Sequence, residues 1–218
     1  MLRALFEKRG KAVWISHLDL MRLFQRAFKR AGLPLTHTQG FNPRPSVSIA
    51  LPLSVGVESR CELLDFALDG AMVPCDEICQ RLNDALVDGV RVLEVYEDGR
   101  KLKELSLLRC SVSFEYDSGT PDGAGERIRA LFGRDSLIVE KKGKNGIVEQ
   151  DIIPMIKSFA LSCKTDTITI EALICCQNPT LNPMQLSAAV ERYLPELRPD
   201  LVKYSRIELY DQNENVFR

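Results

Sequence analysis

The hydrophobic and polar positions of residues 1–97 switch repeatedly between the two-residue period of strands and the 3.6-residue period of amphipathic helices. The predicted segments are strands over 2–7 and 12–15, a helix beginning at Ser16, a short extended segment over 35–38, strands over 47–51 and 62–68, a helix over 74–86 and a strand over 90–96. Their order predicts an α+β domain in which two helices separate pairs of strands.

Residues 109–218 repeat this order and add one hairpin. The predicted segments are a strand over 109–116, a helix over 124–132, hairpin strands over 137–140 and 147–150, strands over 159–163 and 167–176, a helix over 183–194 and a strand over 202–210. Asn145-Gly146 is a strong turn signal for the hairpin. The βαββαβ order is that of the ferredoxin-like fold. We therefore predict two tandem ferredoxin-like domains, residues 1–97 and 109–218, joined by a linker over 98–108.

The first predicted helix is amphipathic and basic. Ser16 is a favourable N-cap, and Asp19 three positions later completes a pair that resembles a capping box. Gly32 and Pro34 end the helix. Its apolar stripe consists of Leu20, Leu23, Phe24, Ala27, Phe28 and Ala31, and its basic stripe of Arg22, Arg26, Lys29 and Arg30. Because no Glu is interleaved among the basic residues, the stripe is either a solvated face or a site for a polyanion.

The charge of the chain is distributed unevenly. The first sixty residues hold 10 Lys/Arg and 3 Asp/Glu, a net charge of +7. Residues 61–218 carry a net charge of −8, so the whole chain carries −1. Concentrated positive charge favours a polyanionic partner, and nucleic acid is the first candidate.

A polar loop, Gln39-Gly40-Phe41-Asn42-Pro43-Arg44-Pro45, follows the basic helix. Gln39 and Asn42 offer amides of the kind that read a base edge. Arg44 offers a guanidinium for a phosphate, and Phe41 offers an aromatic face for a base. Two prolines limit the conformations of the loop, which lowers the entropy cost of binding. The alternative is a structural crossover loop whose side chains satisfy backbone groups.

The chain has two histidines. His17 lies at the predicted helix start, where the macrodipole favours neutral imidazole, so it is a candidate base or hydrogen-bond partner. The alternative is that His17 only hydrogen-bonds locally. His37 lies in an extended stretch, where structural and binding roles both stay open. Asp19 is expected to cap the helix rather than to act as a catalytic acid.

The composition, with 45% apolar and 27% charged residues, is typical of a globular protein. No apolar run approaches the roughly 20 residues that span a bilayer, and the N-terminus lacks the apolar core of a secretory signal. We therefore expect a cytoplasmic protein with no membrane partner.

The seven cysteines are an odd number and lie mostly in apolar patterns. We expect reduced, buried thiols at Cys61, Cys110, Cys163, Cys175 and Cys176. Cys75 and Cys79 share one face of a predicted helix, but two thiols do not complete a tetrahedral metal site. We therefore expect no metal and no cofactor.

Five motifs in residues 15–59 resemble the signature of a known family. They are I-S-H-L-D at Ile15–Asp19, A-G-L-P at Ala31–Pro34, Q-G-F-N-P-R-P at Gln39–Pro45, A-L-P-L at Ala50–Leu53 and V-G-V-E-S at Val55–Ser59. On these motifs the chain resembles DUF2344, an uncharacterised family of radical-SAM-linked proteins. The resemblance implies a stand-alone protein that works beside a B12-binding radical-SAM protein and has no assigned activity. The gene context of the family, which often includes a ribosomal RNA-processing ribonuclease, hints at RNA.

The predicted tandem architecture also resembles the RAMP-type RNA-processing endoribonucleases, although residues 195–200 lack the glycine-rich loop of those enzymes. Our leading hypothesis is an RNA-binding or substrate-presenting accessory protein without catalysis. The candidate binding residues are His17, Arg22, Arg26, Arg30, Gln39, Phe41, Asn42 and Arg44. The alternatives are a metal-independent endoribonuclease with His17 as general acid/base and Arg44 as phosphate stabiliser, and a protein-interaction module that docks a partner on the acidic second half.

Overall fold

The protein belongs to the α+β class, and a computed structural model describes residues 1–70, 72–143 and 146–218. These residues form four α-helices and ten β-strands. They divide into unit 1, residues 1–102 with Arg218, and unit 2, residues 103–217. The linker predicted over 98–108 includes the start of a strand at Leu105. Asn145 of the predicted hairpin turn lies outside the described residues.

Unit 1 contains four strands and two helices. They are β1 (Leu2–Lys8), α1 (His17–Arg30), β2 (Val47–Ile49), β3 (Val57–Phe66), α2 (Cys75–Ala85) and β4 (Val90–Glu97). The strands are antiparallel and lie in the order β4-β1-β3-β2. The predicted helices and the strand over 90–96 are thereby confirmed to within one residue at most boundaries.

The core of unit 1 joins α1 to the sheet through aromatic side chains. Phe24 of α1 meets Phe6 of β1 at 4.8 Å between ring centroids, in an edge-to-face arrangement. Phe28 meets Phe66 of β3, also at 4.8 Å. All four rings are fully buried. Because these contacts use one side of α1, the opposite side of the helix faces solvent.

Two predictions for unit 1 are wrong. Residues 12–15 were expected to be extended, but Gly10–Trp14 form a 3₁₀ turn, since the backbone N–H of Ala12 bonds back to Arg9 and that of Ile15 to Ala12. β3 begins at Val57 rather than residue 62, because its early part pairs with the end of β1 (Lys8 with Ser59). That pairing is a contact between residues distant in sequence, which local periodicity does not predict.

Unit 2 contains six strands and two helices. They are β5 (Leu105–Glu115), α3 (Ala124–Phe132), β6 (Ile138–Gly143), β7 (Gly146–Asp151), β8 (Ile156–Cys163), β9 (Thr167–Cys175), α4 (Met184–Tyr193) and β10 (Leu201–Asp211). Within the unit the strands follow the order β10-β5-β9-β8. β6 and β7 form the separate predicted hairpin.

The hairpin of unit 2 is closed by a carboxylate. The Asp151 Oδ1 accepts hydrogen bonds from the backbone N–H groups of Leu137, at 2.9 Å, and Ile153, at 3.2 Å. The Leu137 bond, followed by contributions from Ser136 and Ile153, lowers the pKa of Asp151 from its ordinary value. The charged form of this side chain therefore stabilises the base of the hairpin.

The cysteines are free thiols in differing environments. Burial raises the pKa of Cys110 and of Cys176 to about 12. The expectation of burial is wrong for Cys163, which is exposed because it ends β8, the outer strand of its unit. Among the described residues, no group of three or more His, Cys, Asp or Glu is placed to hold a metal ion. None of the described helices has the length and hydrophobicity to cross a membrane.

Candidate polyanion-binding surface

The start of α1 is held by its own cap and by a buried lysine. The Asp19 backbone N–H donates to the Ser16 hydroxyl at 3.2 Å, and this hydroxyl donates to the Asp19 carboxylate at 2.7 Å. The hydroxyl bond, ahead of the interaction with Arg22, lowers the pKa of Asp19. Just before the cap, the buried Lys8 ammonium donates to the Ile15 carbonyl at 2.9 Å. The predicted capping pair is thus confirmed.

The exposed side of α1 carries the basic ridge, which we define as Arg22, Arg26, Lys29 and Arg30. Two of its members are engaged. Arg22 forms an ion pair with Asp19 at 2.9 Å, and Arg30 donates to the Ala85 carbonyl at 2.5 Å. Arg26 and Lys29 are exposed, and within the described residues neither side chain makes a hydrogen bond or an ion pair. These two cations are therefore the ones available to an external anion.

Residues 36–46 form a loop held by internal hydrogen bonds, which we call the polar arm. His37 pairs with Pro45 in an isolated bridge. The Thr38 N–H donates to the Arg44 carbonyl at 2.8 Å, and the Arg44 N–H donates to the Thr38 hydroxyl at 3.1 Å. At the base, the Ser46 N–H donates to the Thr36 carbonyl at 2.8 Å. These hydrogen bonds hold the two sides of the arm together, and the side chains at its tip take no part in them.

The predicted contact groups of the polar arm all point into solvent. Gln39, Asn42 and Arg44 are exposed, and the ring of Phe41 is fully exposed. His37, lower on the arm, is exposed as well. A fully exposed aromatic ring contributes no burial free energy to folding. Burying the ring against a partner would therefore contribute that free energy to binding.

His17 lies apart from the polar arm. It is the first residue of α1, whose 14 residues span roughly 21 Å, and the arm follows the other end of that helix. Among the described residues, no hydrogen bond or ion pair joins His17 to Arg44. The Nδ1 atom of His17 is buried and has no hydrogen-bond partner within the described part of the chain. The structure thus records no direct contact between the two residues of the suggested cleavage pair, within its described part.

Trp14 is an exposed aromatic residue outside the set of candidate binding residues. It ends the 3₁₀ turn with 72% of its surface exposed. Beside the turn lies an open groove of about 770 Å³, lined by Arg9, Lys11 and Arg91 together with acidic side chains. The signal in the sequence was the chain's single tryptophan following a Lys-Arg-Gly-Lys run.

Comparisons with known proteins place the chain in a family without an assigned activity. No curated protein matches it. The match to a crystal structure of an unknown protein from Galdieria sulphuraria covers 94% of this chain and 96% of that chain, at 11% sequence identity. Its TM-score of 0.26 supports no inference. A family model described as an uncharacterized protein conserved in bacteria, DUF2344, matches residues 1–183. The chain therefore belongs to the DUF2344 family.

Proposed function

We propose that this protein is an RNA-binding accessory protein, without catalysis of its own, that holds RNA on the basic ridge and the polar arm. The observation that carries the proposal is the fully exposed ring of Phe41 at the tip of a hydrogen-bonded arm. The amides of Gln39 and Asn42 and the guanidinium of Arg44 lie on the same arm. An aromatic face among polar groups is the arrangement that stacks on an unpaired base and reads its edge.

The basic ridge supports the same partner through charge. Arg26 and Lys29 have no partner among the described residues, so a phosphate binds them without breaking an existing interaction. Arg22 forms an ion pair with Asp19, and the negative charge of Asp19 reduces the attraction of Arg22 for a phosphate. Phosphate neutralisation releases counterions, which makes the affinity depend on salt.

We also propose that each unit is a ferredoxin-like domain of the kind found in RAMP-type RNA-binding proteins. In unit 1 the strands follow the order β4-β1-β3-β2, and in unit 2 the corresponding strands follow the order β10-β5-β9-β8. The shared antiparallel order and the βαββαβ succession support the assignment. Function does not follow from this fold alone, so the RNA proposal depends on the side chains of unit 1.

A radical-SAM, B12-binding protein is the partner that we propose for this accessory role, on the sequence resemblance alone. Unit 2 holds 14 Lys/Arg and 17 Asp/Glu, a net charge of −3, and is the part expected to dock such a partner. Co-purification of a radical-SAM protein with the full chain, lost when exposed acidic residues of unit 2 are neutralised, would support this role. Retention of the partner by the neutralised protein would contradict it.

The ribonuclease alternative has less support, because His17 begins α1 whereas Arg44 lies on the polar arm that follows the end of that helix, and no contact joins them among the described residues. A cleavage step needs an acid/base group and a phosphate stabiliser around one scissile phosphate. Incubation with structured RNA in EDTA distinguishes the two functions. Cleavage that is lost in His17→Ala would replace our proposal with the enzymatic one.

The binding proposal is tested by the salt dependence of RNA affinity. The double variant Arg26→Gln, Lys29→Gln removes the two available cations of the basic ridge. For single-stranded nucleic acid each phosphate contact contributes about 0.7 to the log–log salt slope, so the slope should become less steep by about 1.4. Fluorescence anisotropy with a labelled RNA oligonucleotide measures the affinity over a series of salt concentrations.

The matched control is Lys157→Gln, Lys164→Gln, which removes two exposed cations from unit 2. This variant has the same change in net charge and should keep the wild-type slope. Equal slopes in the two double variants would show that charge acts without regard to position. That result, or the absence of RNA binding by the wild-type protein, would overturn the proposal.

A further inference from the structure

Trp14 presents an exposed, partly supported indole ring. A Cβ placed on Gly56 would lie 3.6 Å from Cζ3 and 3.9 Å from Cη2 of Trp14, so the six-membered ring rests against the backbone at Gly56. Gly56 itself is tied to the 3₁₀ turn, because its N–H donates to the Val13 carbonyl at 2.9 Å. The neighbouring Val55 is also exposed. We call Trp14, Val55 and Gly56 the Trp14 patch.

The turn that carries Trp14 is anchored on both sides. At its start, the Arg9 N–H donates to the Gly89 carbonyl at 2.7 Å. At its end, Lys8 holds the Ile15 carbonyl, which fixes the chain between Trp14 and the cap of α1. An anchored backbone lowers the conformational entropy that binding would otherwise remove from the indole. The ring is therefore exposed and pre-positioned, and the described residues of unit 1 leave 72% of its surface open.

Trp14 lies three residues before the start of α1, the helix that carries the basic ridge. Leu18, exposed in the first turn of α1, lies on the same row of the helix as Arg22 and Arg26, because residues four apart follow one another along the surface. Lys11, exposed on the 3₁₀ turn, adds a cation three residues before Trp14. An exposed aromatic ring just before a helix that carries a row of cations matches the chemistry of a single strand, with bases that stack and phosphates that carry charge.

We propose that Trp14 is a second base-stacking site, at the end of α1 opposite the polar arm, for the same RNA that the basic ridge binds. The inference rests on the proposed function and adds the substrate class to it. An unpaired, single-stranded segment is required, because a base inside a duplex does not offer its face to an indole. The strand contacts the ridge through its phosphates and the patch through a base.

The experiment uses the fluorescence of Trp14, which is the only tryptophan of the chain. The full-length protein is titrated with an unlabelled single-stranded adenine oligoribonucleotide, and the Trp14 emission is recorded. A stacked base quenches indole emission, so quenching should saturate with the dissociation constant that anisotropy gives for the labelled oligonucleotide. Inorganic polyphosphate, which carries the charge without bases, should bind the ridge and leave the emission unchanged.

Variants separate stacking from structure. Trp14→Ala should weaken RNA binding about five-fold or more with an unchanged salt slope, because it removes a base contact and no cation. Trp14→Phe should restore most of the affinity, and Leu93→Ser, at an exposed apolar residue of β4, should keep both the affinity and the quenching. Circular dichroism melting checks that each variant is folded as the wild type is.

The outcomes distinguish this inference from the proposed function. RNA binding without quenching, together with wild-type affinity in Trp14→Ala, overturns the Trp14 site and leaves RNA binding intact. Absence of RNA binding overturns both. Equal quenching by polyphosphate, or an emission that shifts with protein concentration alone, also overturns the inference, since the ring would then respond to charge or be covered by a second copy of the chain.

Discussion

Phe24 and Phe41 are the same side chain in opposite environments, and substituting each with alanine tests the exposed ring on which the functional proposal depends. Phe24 is fully buried and packs edge-to-face on Phe6. Phe41 is fully exposed at the tip of the polar arm. The two alanine variants remove the same atoms from unit 1.

The expected magnitudes differ because burial differs. Phe24→Ala removes a ring from a packed core and should lower the free energy of unfolding of unit 1 by about 3–5 kcal/mol. Phe41→Ala removes a ring that is already in water, so its effect on that free energy should stay within about 0.5 kcal/mol. For RNA binding the order reverses, since loss of a stacking platform costs about 1–3 kcal/mol per base.

The assay is urea unfolding followed by circular dichroism, because Trp14 is already 72% exposed in the folded protein and its emission reports unfolding only weakly. The midpoint of Phe41→Ala should coincide with that of the wild type, and the midpoint of Phe24→Ala should fall. Anisotropy with labelled RNA then gives the affinity of Phe41→Ala, which should be weaker by about five-fold or more.

A loss of more than about 1 kcal/mol of stability in Phe41→Ala would refute the reasoning. The ring would then be packed in solution and would not be a free platform. Wild-type RNA affinity in a stable Phe41→Ala variant would refute the role of the ring in binding. In that case the contribution of the arm would have to come from its polar groups.

Three further predictions follow from unit 1 and unit 2 separately. In the folded protein, the exposed Cys163 should be alkylated long before the buried Cys110, whose pKa is raised to about 12, and mass spectrometry of timed samples checks this order. Asp151 has a lowered folded-state pKa, so its contribution to stability is present above its unfolded pKa of about 3.9 and is lost as the pH falls through the folded pKa. Asp151→Asn should accordingly be less stable than the wild type at neutral pH, and urea unfolding at several pH values should show that this deficit shrinks in acid; a deficit that stays constant with pH would contradict the mechanism. Gly89→Ala should destabilise unit 1 more than Gly10→Ala, because both have positive φ but only a Cβ at Gly89 would lie 2.5 Å from a backbone carbonyl oxygen, and thermal melting of the two variants gives the comparison.

The helices were predictable because their signals are local. The predicted helix over 124–132 coincides with α3, and the predicted helix over 74–86 contains α2. The capping pair Ser16 and Asp19 marked the start of α1 correctly. Periodicity, caps and terminators lie within the helix or a few residues from it, so they can be recognised without knowledge of the tertiary structure.

The strand ends and the 3₁₀ turn were less predictable because their partners are distant in sequence. β3 starts five residues before the predicted strand, where Ser59 pairs with Lys8. β5 starts at Leu105, inside the predicted linker, and pairs there with Asp211 of β10. Pairing across tens of residues decides where a strand begins, and the hydrophobic alternation of the strand itself does not encode it.

The candidate site divides in the same way. The motifs marked the polar arm and the basic helix, and the structure shows that both are exposed. The sequence of the basic stripe does not show which of its side chains have partners. Arg30 is engaged by the carbonyl of Ala85 on another helix, whereas the side chains of Arg26 and Lys29 have no partner among the described residues. Trp14 was missed because its exposure depends on how the 3₁₀ turn meets Gly56.

By itself the sequence determined the α+β class, the helices of both units, the uneven charge and the family. These properties depend on composition and short-range order, which any single chain carries. Only the tertiary structure decided that Trp14 faces solvent and that the side chains of Arg26 and Lys29 have no partner among the described residues. The reason is that exposure and separation are properties of packing between segments distant along the chain, whereas periodicity reports only which side of each segment prefers burial.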